Sequence, residues 1–114
     1  MLNKVIEAIK SAPVAKHLAA SQIADIITDA TAMYNAGFDA LEDGTVIAYQ
    51  NNIVIVKQGN TYVRQEMYDN FGIRSGKLTT DVKRVIDTKD IPEDKKTGYL
   101  AQAIITKYYT IKEA

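Results

Sequence analysis

Two neighbouring runs of β-branched and aromatic residues, at 45–50 and 53–57, constrain the fold of this chain more than any other feature. The dipeptide Asn51-Asn52 separates them, and because asparagine tolerates a positive φ, this connection predicts a tight hairpin turn. In both runs apolar side chains occupy successive positions, so they would lie on both faces of the strands. Such strands are covered on both faces, and we expect helices or another chain to cover them.

A third run, TYVRQEM at 61–67, follows the turn Gln58-Gly59-Asn60. In this run Val63 and Met67 alternate with polar or amphipathic residues, which predicts a strand with one polar face. A strand of this kind is typical of a sheet edge, so we expect it to be an edge. The three runs together predict a three-stranded antiparallel β-meander over about 45–67.

Helical periodicity precedes the meander. Apolar residues from Leu2 to Ile9 recur at helical spacing and predict a short amphipathic helix that ends before Pro13. A second helical stretch extends from Val14 and Leu18 to Tyr34, with a break that Ser21 would cap and a stop at Asn35-Ala36-Gly37. Eight alanines at positions 12–36 leave these helices with little side-chain bulk, which favours close helix packing within the domain.

The part that follows the meander is harder to interpret. Residues 68–91 are expected to be a loop region, with a short helix at about 80–86 capped by Thr79 or Thr80. Asp90-Ile91-Pro92-Glu93 is a typical helix entry, and the helical spacing continues to Ile111, although residues 99–112 also have high β propensity. We therefore expect one α+β domain over 1–114, with two or three helices before the meander and a C-terminal helix after the loop region.

Composition excludes several classes of protein. The absence of cysteine excludes disulfides and thiolate chemistry, and the single histidine, His17, makes a zinc site or general acid–base catalysis a weak expectation. Apolar runs are far shorter than the roughly 18 residues that a membrane helix needs. Glu7 and Lys10 interrupt the N-terminal apolar stretch, so no signal peptide is expected. We expect no cofactor, no metal, no membrane association and a cytoplasmic location, or a virion location if the chain derives from a phage.

Two sequence motifs fail on their spacing or charge. GIRSGKLTT at 72–80 has one residue too few between its glycines for a phosphate-binding loop, and Leu78 stands where a hydroxyl is needed. The stretch 14–27 is similar to a helix-turn-helix, but Asp25 and Asp29 would repel phosphates.

Asp81-x-Lys83 and Asp87-x-Lys89 are carboxylate–lysine pairs of the kind that metal nucleases use, with Asp69 as a further carboxylate. The dipeptide Val85-Ile86 before Asp87 is strand-like. In a chain with 14 acidic residues such pairs also arise by chance on solvated faces.

Rings and bases lie close together along the third strand and the segment after it. This binding set comprises Tyr62, Arg64, Tyr68, Phe71, Arg74 and Lys77. The mixture is typical both of surfaces that bind single-stranded bases and phosphates and of protein–protein hot spots. The order of helix, three strands and helix is similar to that of double-stranded-RNA-binding domains, but the long stretch after the third strand departs from that family. A net charge of zero also argues against a dedicated nucleic-acid binder.

The function that these features favour is non-enzymatic protein–protein interaction or assembly, through self-association or a protein partner, in a setting such as a phage or mobile element. The expected surfaces are the alanine-rich helices, the edge strand, or both. Two alternatives remain open: nucleic-acid binding by the set from Tyr62 to Lys77, and a small nuclease or toxin-like enzyme.

Overall fold

The computed structural model describes residues 2–11, 17–68, 73–74, 77–78 and 81–109, and it confirms the α+β class. In the described ranges the α-helices are α1 (Leu2–Ser11), α2 (Ala20–Ala36) and α3 (Lys96–Tyr109), with single 3₁₀ turns at Phe38–Ala40 and Glu93–Lys95. The strands are β1 (Val46–Gln50), β2 (Ile53–Gln58), β3 (Thr61–Met67), β4 (Ile73–Arg74), β5 (Lys77–Leu78) and β6 (Val82–Asp90).

The predicted meander is confirmed and forms most of an antiparallel sheet with strand order β1-β2-β3-β6. Asn51 has a φ of 54° in the β1–β2 turn, as its position in the sequence predicts. Gly59 has a φ of 59° in the turn between β2 and β3, a conformation that costs glycine little. Both connections are short enough to set the register of the strands they join.

Two expectations about this sheet are wrong. Residues 82–90 form a nine-residue strand, although a short helix was expected at 80–86. This strand pairs with β3 along its whole length, so β3 is an inner strand and not an edge. The charged residues that gave β3 its one-sided pattern face partners on β6: Arg64 lies opposite Asp87, and Glu66 forms an ion pair with Arg84.

The helices lie on one face of the sheet, where α3 contacts β1 and α1 and α2 pack against α3. The buried residues of the helices and of the segments next to them pack with Ile47 of β1 around the core of the domain, and Ile55 and Tyr62 pack against the edge of that core. The buried members are Val5, Ile9, Ala30, Phe38, Leu41, Ile91, Leu100, Ala101, Ala103, Ile104 and Tyr108. Complete burial of side chains such as Ile104 supplies the main stabilisation of this layer.

No residue of the described helices belongs to the buried cluster on the opposite face of the sheet. The chain leaves the sheet at Met67 and re-enters at Val82, its partner residue, and between these points it forms the two-stranded β4–β5 hairpin. Leu78 of this hairpin packs against a second cluster of buried residues, Val46, Val54, Val56 and Met67. Lys77 makes a β-bridge with Thr45 at the far end of the sheet. The expected covering by helices is therefore found on one face, whereas on the other face Leu78 of the hairpin is the residue outside the four-stranded sheet that packs against the cluster in the described chain.

The helices largely follow the sequence pattern. α2 ends at Gly37, which has a φ of 89°, and α3 continues as a helix to Tyr109 despite its β propensity. The expected cap at Ser21 is wrong: α2 begins at Ala20, and the Gln22 side chain accepts a hydrogen bond of 2.8 Å from the Ala19 N–H. Leu18 precedes the helix, and the expectations for residues 12–16 lie outside the described residues.

Close packing of the helix alanines is confirmed only at Ala30. Its side chain is fully buried, whereas the other described alanines in the sequence stretch are exposed: Ala19, Ala20, Ala24, Ala32 and Ala36.

Candidate interaction surface

Strand β6 is one edge of the four-stranded sheet, and no strand in the described ranges pairs with its outer side. Val85 and Ile86, at its middle, are 58% and 39% exposed. Apart from Tyr68, they are the large apolar side chains of the described residues that are most accessible to water. A long strand with free backbone donors and acceptors can pair with a strand of another chain, and exposed apolar side chains increase what such pairing buries.

Two β-bulges shape this strand. Val82, Val85 and Thr88 lie opposite Met67, Gln65 and Val63, which are alternate residues of β3 and so share one face of the sheet. Each step of two residues along β3 therefore corresponds to a step of three residues along β6. The extra residues, Lys83 and Ile86, have no partner residue on β3. Bulges of this kind twist an edge strand and restrict which strands can pair with it.

Only some of the charged side chains along β6 form ion pairs within the described chain. Arg84 forms an ion pair with Glu66 on β3, and Lys89 lies 3.2 Å from Asp87 within the strand. Lys83 and Asp81 are exposed and form no ion pair with another residue of the described chain. Charges on an edge strand oppose pairing with uncharged or like-charged strands, so they select the partner.

The binding set predicted from the sequence is not brought together on one surface. Tyr62 is half-buried on the helix face, with its ring stacked 6.4 Å from that of Tyr99, and Arg64 follows it on the same face, where it is exposed. Lys77 makes a β-bridge with Thr45, forms an ion pair with Glu42 and lines a cleft together with residues of α2 and α3.

Tyr68 is exposed just after β3, at the end of the sheet that is remote from Lys77. Phe71 and the side chain of Arg74 lie outside the described residues. The exposed members, Arg64 and Tyr68, border the β3–β6 part of the sheet.

The residues considered for catalysis form no catalytic arrangement in the described part of the chain. His17 is exposed, and Asp87 pairs with Lys89 rather than with another carboxylate, while Asp69 lies outside the described residues. Among the described residues no three side chains of the types that bind metals converge.

One cleft of about 570 Å³ lies between α2, α3 and β5. Its charged groups are Glu42, Lys77 and Lys107. Lys77 binds Glu42, and Lys107 donates a hydrogen bond of 3.0 Å to Asp29, so these groups neutralise one another. The Lys77 ammonium lowers the pKa of the Glu42 carboxyl from its ordinary value, first by hydrogen bonding and then by charge. The charged groups that line this cleft are therefore paired within the protein.

Comparisons with known proteins returned no match to this chain among protein families, curated proteins or solved structures. No helix in the described part of the chain is both long and apolar enough to cross a bilayer. The β6 edge combines an outer side that is unpaired among the described residues with two exposed large apolar side chains, and it is therefore the candidate interaction surface. Sequence reasoning placed Asp81, Lys83, Asp87 and Lys89 in this segment and noted that Val85-Ile86 is strand-like, but it predicted a short helix at 80–86 and not the nine-residue strand. The β-branched residues at 82, 85, 86 and 88 were the available signal.

Proposed function

We propose that this protein is a non-enzymatic interaction or assembly protein that pairs the free edge of β6 with a strand of another chain. The observation that carries the proposal is the exposure of Val85 and Ile86 at the centre of a nine-residue strand whose outer side is unpaired among the described residues. Strand addition satisfies backbone groups along the whole edge and covers these two side chains. A cytoplasmic or virion-associated setting belongs to the same proposal.

The β1 edge is a weaker surface for the same purpose. β1 has five residues, against nine in β6, and α3 lies beside it. A cleft between them is lined by Tyr49, Tyr99 and Gln102, and the side chains of all three are only partly accessible. The longer and more exposed edge therefore supports the proposal best.

The test is a variant in which β6 keeps its pairing with β3 but loses its outer edge. Ile86→Pro suits this purpose because Ile86 is a bulge residue without a partner on β3, and proline is tolerated at bulges. Sedimentation and affinity purification with the wild-type chain should show self-association or a bound protein, and Ile86→Pro should lose either. The control is Thr88→Ser, which keeps the backbone of β6. A proline elsewhere, such as Thr28→Pro, is unsuitable as a control because it would break α2. The proposal would be refuted if the wild-type chain is monomeric and binds no protein that the Ile86→Pro variant fails to bind.

A further inference from the structure

We infer that the strand that pairs with β6 is β6 of a second copy, arranged antiparallel around a two-fold axis at Val85. This inference rests on the proposed function and names its partner. It follows from the charge order of the strand, in which two pairs of residues equally distant from Val85 carry opposite charges.

The charges of β6 are complementary to those of the same strand read backwards. When Val85 lies opposite Val85 of a second copy, Lys83 lies opposite Asp87 and Asp81 lies opposite Lys89. The two-fold axis repeats each pair, so every charge that meets a charge in this register meets the opposite one. Directly opposed charges of opposite sign stabilise a strand pair, and like charges destabilise it. The two Asp-x-Lys pairs thereby acquire a role in recognition.

Neighbouring registers lack this complementarity. A centre at Ile86 places Lys83 opposite Lys89, and a centre at Arg84 places Asp81 opposite Asp87. A centre between Val85 and Ile86 brings Asp81 opposite Asp90 as well as Arg84 opposite Asp87, and a centre between Arg84 and Val85 opposes no charges at all. Among these registers, the one centred at Val85 has the most opposed charges of opposite sign and none of like sign.

The bulges do not share this symmetry. In the Val85 register the bulge residue Lys83 lies opposite Asp87 and the bulge residue Ile86 lies opposite Arg84, so each bulge faces a residue that is paired with β3 in its own copy. An ordinary flat strand would not match this twisted edge. The charge order of β6 is therefore the property that favours pairing with its own copy.

The resulting dimer is a continuous eight-stranded sheet, with the helices of both copies on the same side. Such an isologous contact closes on itself, so it produces a dimer and not a filament. Burial of two Val85 side chains, each 58% exposed in the single chain, adds an apolar centre. The contact involves one strand per copy and is smaller than a standard interface, so we expect weak association, with a Kd of about 1 μM to 1 mM.

Cysteine cross-linking tests the register directly, because the native sequence contains no cysteine. Val85→Cys places two thiols at the axis, at roughly the 4.5–5.5 Å Cβ separation of facing residues. Thr88→Cys is the matched control on the same face, and its two thiols would be about 20 Å apart in this register. Val85→Cys should form disulfide-linked dimers at least tenfold faster than Thr88→Cys. Equal rates would overturn the inference, whether or not the chain self-associates.

Charge reversal provides a second, independent test. Lys83→Asp and Asp87→Lys each place two like-charged pairs in the homodimer, so each variant should dimerise about tenfold more weakly than wild type. A mixture of the two variants restores opposite charges at both positions, and sedimentation should show a heterodimer of wild-type affinity. Thermal melts check that each variant is folded. If Asp87→Lys does not fold, the single variants Asp81→Lys and Lys89→Asp are used in the same way, separately and as a mixture. A mixture that associates no better than the single variants overturns the inference.

These outcomes separate the inference from the proposed function. If the wild-type chain remains monomeric at 1 mM and Ile86→Pro loses a bound protein, the edge serves another partner and only the inference fails. If neither self-association nor edge-dependent capture is found, both fail.

Discussion

Lys57 of β2 provides the sharpest test of how the segment after α2 is held to the sheet. It is only 3% exposed, and its ammonium donates a hydrogen bond of 2.9 Å to the Leu41 carbonyl. The same nitrogen lies 3.8 Å from a carboxylate oxygen of Asp43 and 5.4 Å from the centre of the Phe38 ring. A buried lysine with these contacts connects β2 to the chain between α2 and β1.

Lys57→Met keeps the buried stem and removes the donor, so the Leu41 carbonyl loses its partner. A hydrogen bond from a charged donor contributes about 1.5–3 kcal/mol, and part of this is offset because methionine avoids the desolvation of the ammonium. We therefore expect a loss of about 2 kcal/mol in the free energy of unfolding. Lys57→Ala also removes three buried methylenes at about 0.8 kcal/mol each, for a total loss of about 4 kcal/mol.

The assay is urea and thermal unfolding followed by far-UV circular dichroism. For a chain of this length 1 kcal/mol corresponds to about 4 °C in Tm, so Lys57→Met should melt about 8 °C and Lys57→Ala about 16 °C below wild type. Lys10→Met, at an exposed position of α1, is the control and should change Tm by less than about 2 °C. A Lys57→Met variant as stable as wild type would show that desolvation of the ammonium cancels its contacts, and would refute the reasoning.

The remaining predictions concern contacts between separate elements. Because Lys77 lowers the pKa of Glu42, the stability that their ion pair supplies is present above the unfolded-state pKa of the carboxyl and is lost as the pH falls through the lower folded-state pKa. The difference in stability between wild type and Lys77→Met should therefore disappear in acid, and a constant difference from pH 7 to pH 2 would contradict this assignment. Tyr108→Phe removes the hydroxyl that donates to Asp29 and should cost about 1 kcal/mol, or about 4 °C in Tm. Tyr99→Phe is its control, since the Tyr99 hydroxyl has no hydrogen-bond partner among the described residues, and an equal loss in both variants would show that the hydroxyl of Tyr108 contributes nothing specific.

The meander was predictable because its signals are local. Positive φ at Asn51 and Gly59 and β-branched runs on either side specify hairpins without reference to the rest of the chain. Strand β6 was missed for a physical reason: its two bulges place Val82, Val85 and Ile86 at spacings of three and four, which is the pattern of a helix. The alternation of side chains that identifies a strand, with a period of two residues, is visible in a sequence only where no bulge inserts an extra residue.

The position of β3 and the packing of Leu78 against the second face depend on contacts between distant residues. The pairing of Arg84 with Glu66 makes a polar strand suitable for the inside of the sheet, and no pattern within β3 shows this. The β4–β5 hairpin has two-residue strands, which are too short to produce periodicity. The candidate site was therefore predictable in composition, through its Asp-x-Lys pairs, but not in geometry.

The packing of α1 against α3 has a consequence for the order in which the fold can form. Val5 and Ile9 of α1 are buried in the same core as Leu100 and Ile104 of α3, about as far apart in sequence as this chain allows. The β1–β2–β3 hairpins need only neighbouring residues and can form early, whereas contacts between distant segments form slowly. During synthesis α1 can contact α2 before α3 exists, but its burial in the core is complete only after α3 has been made.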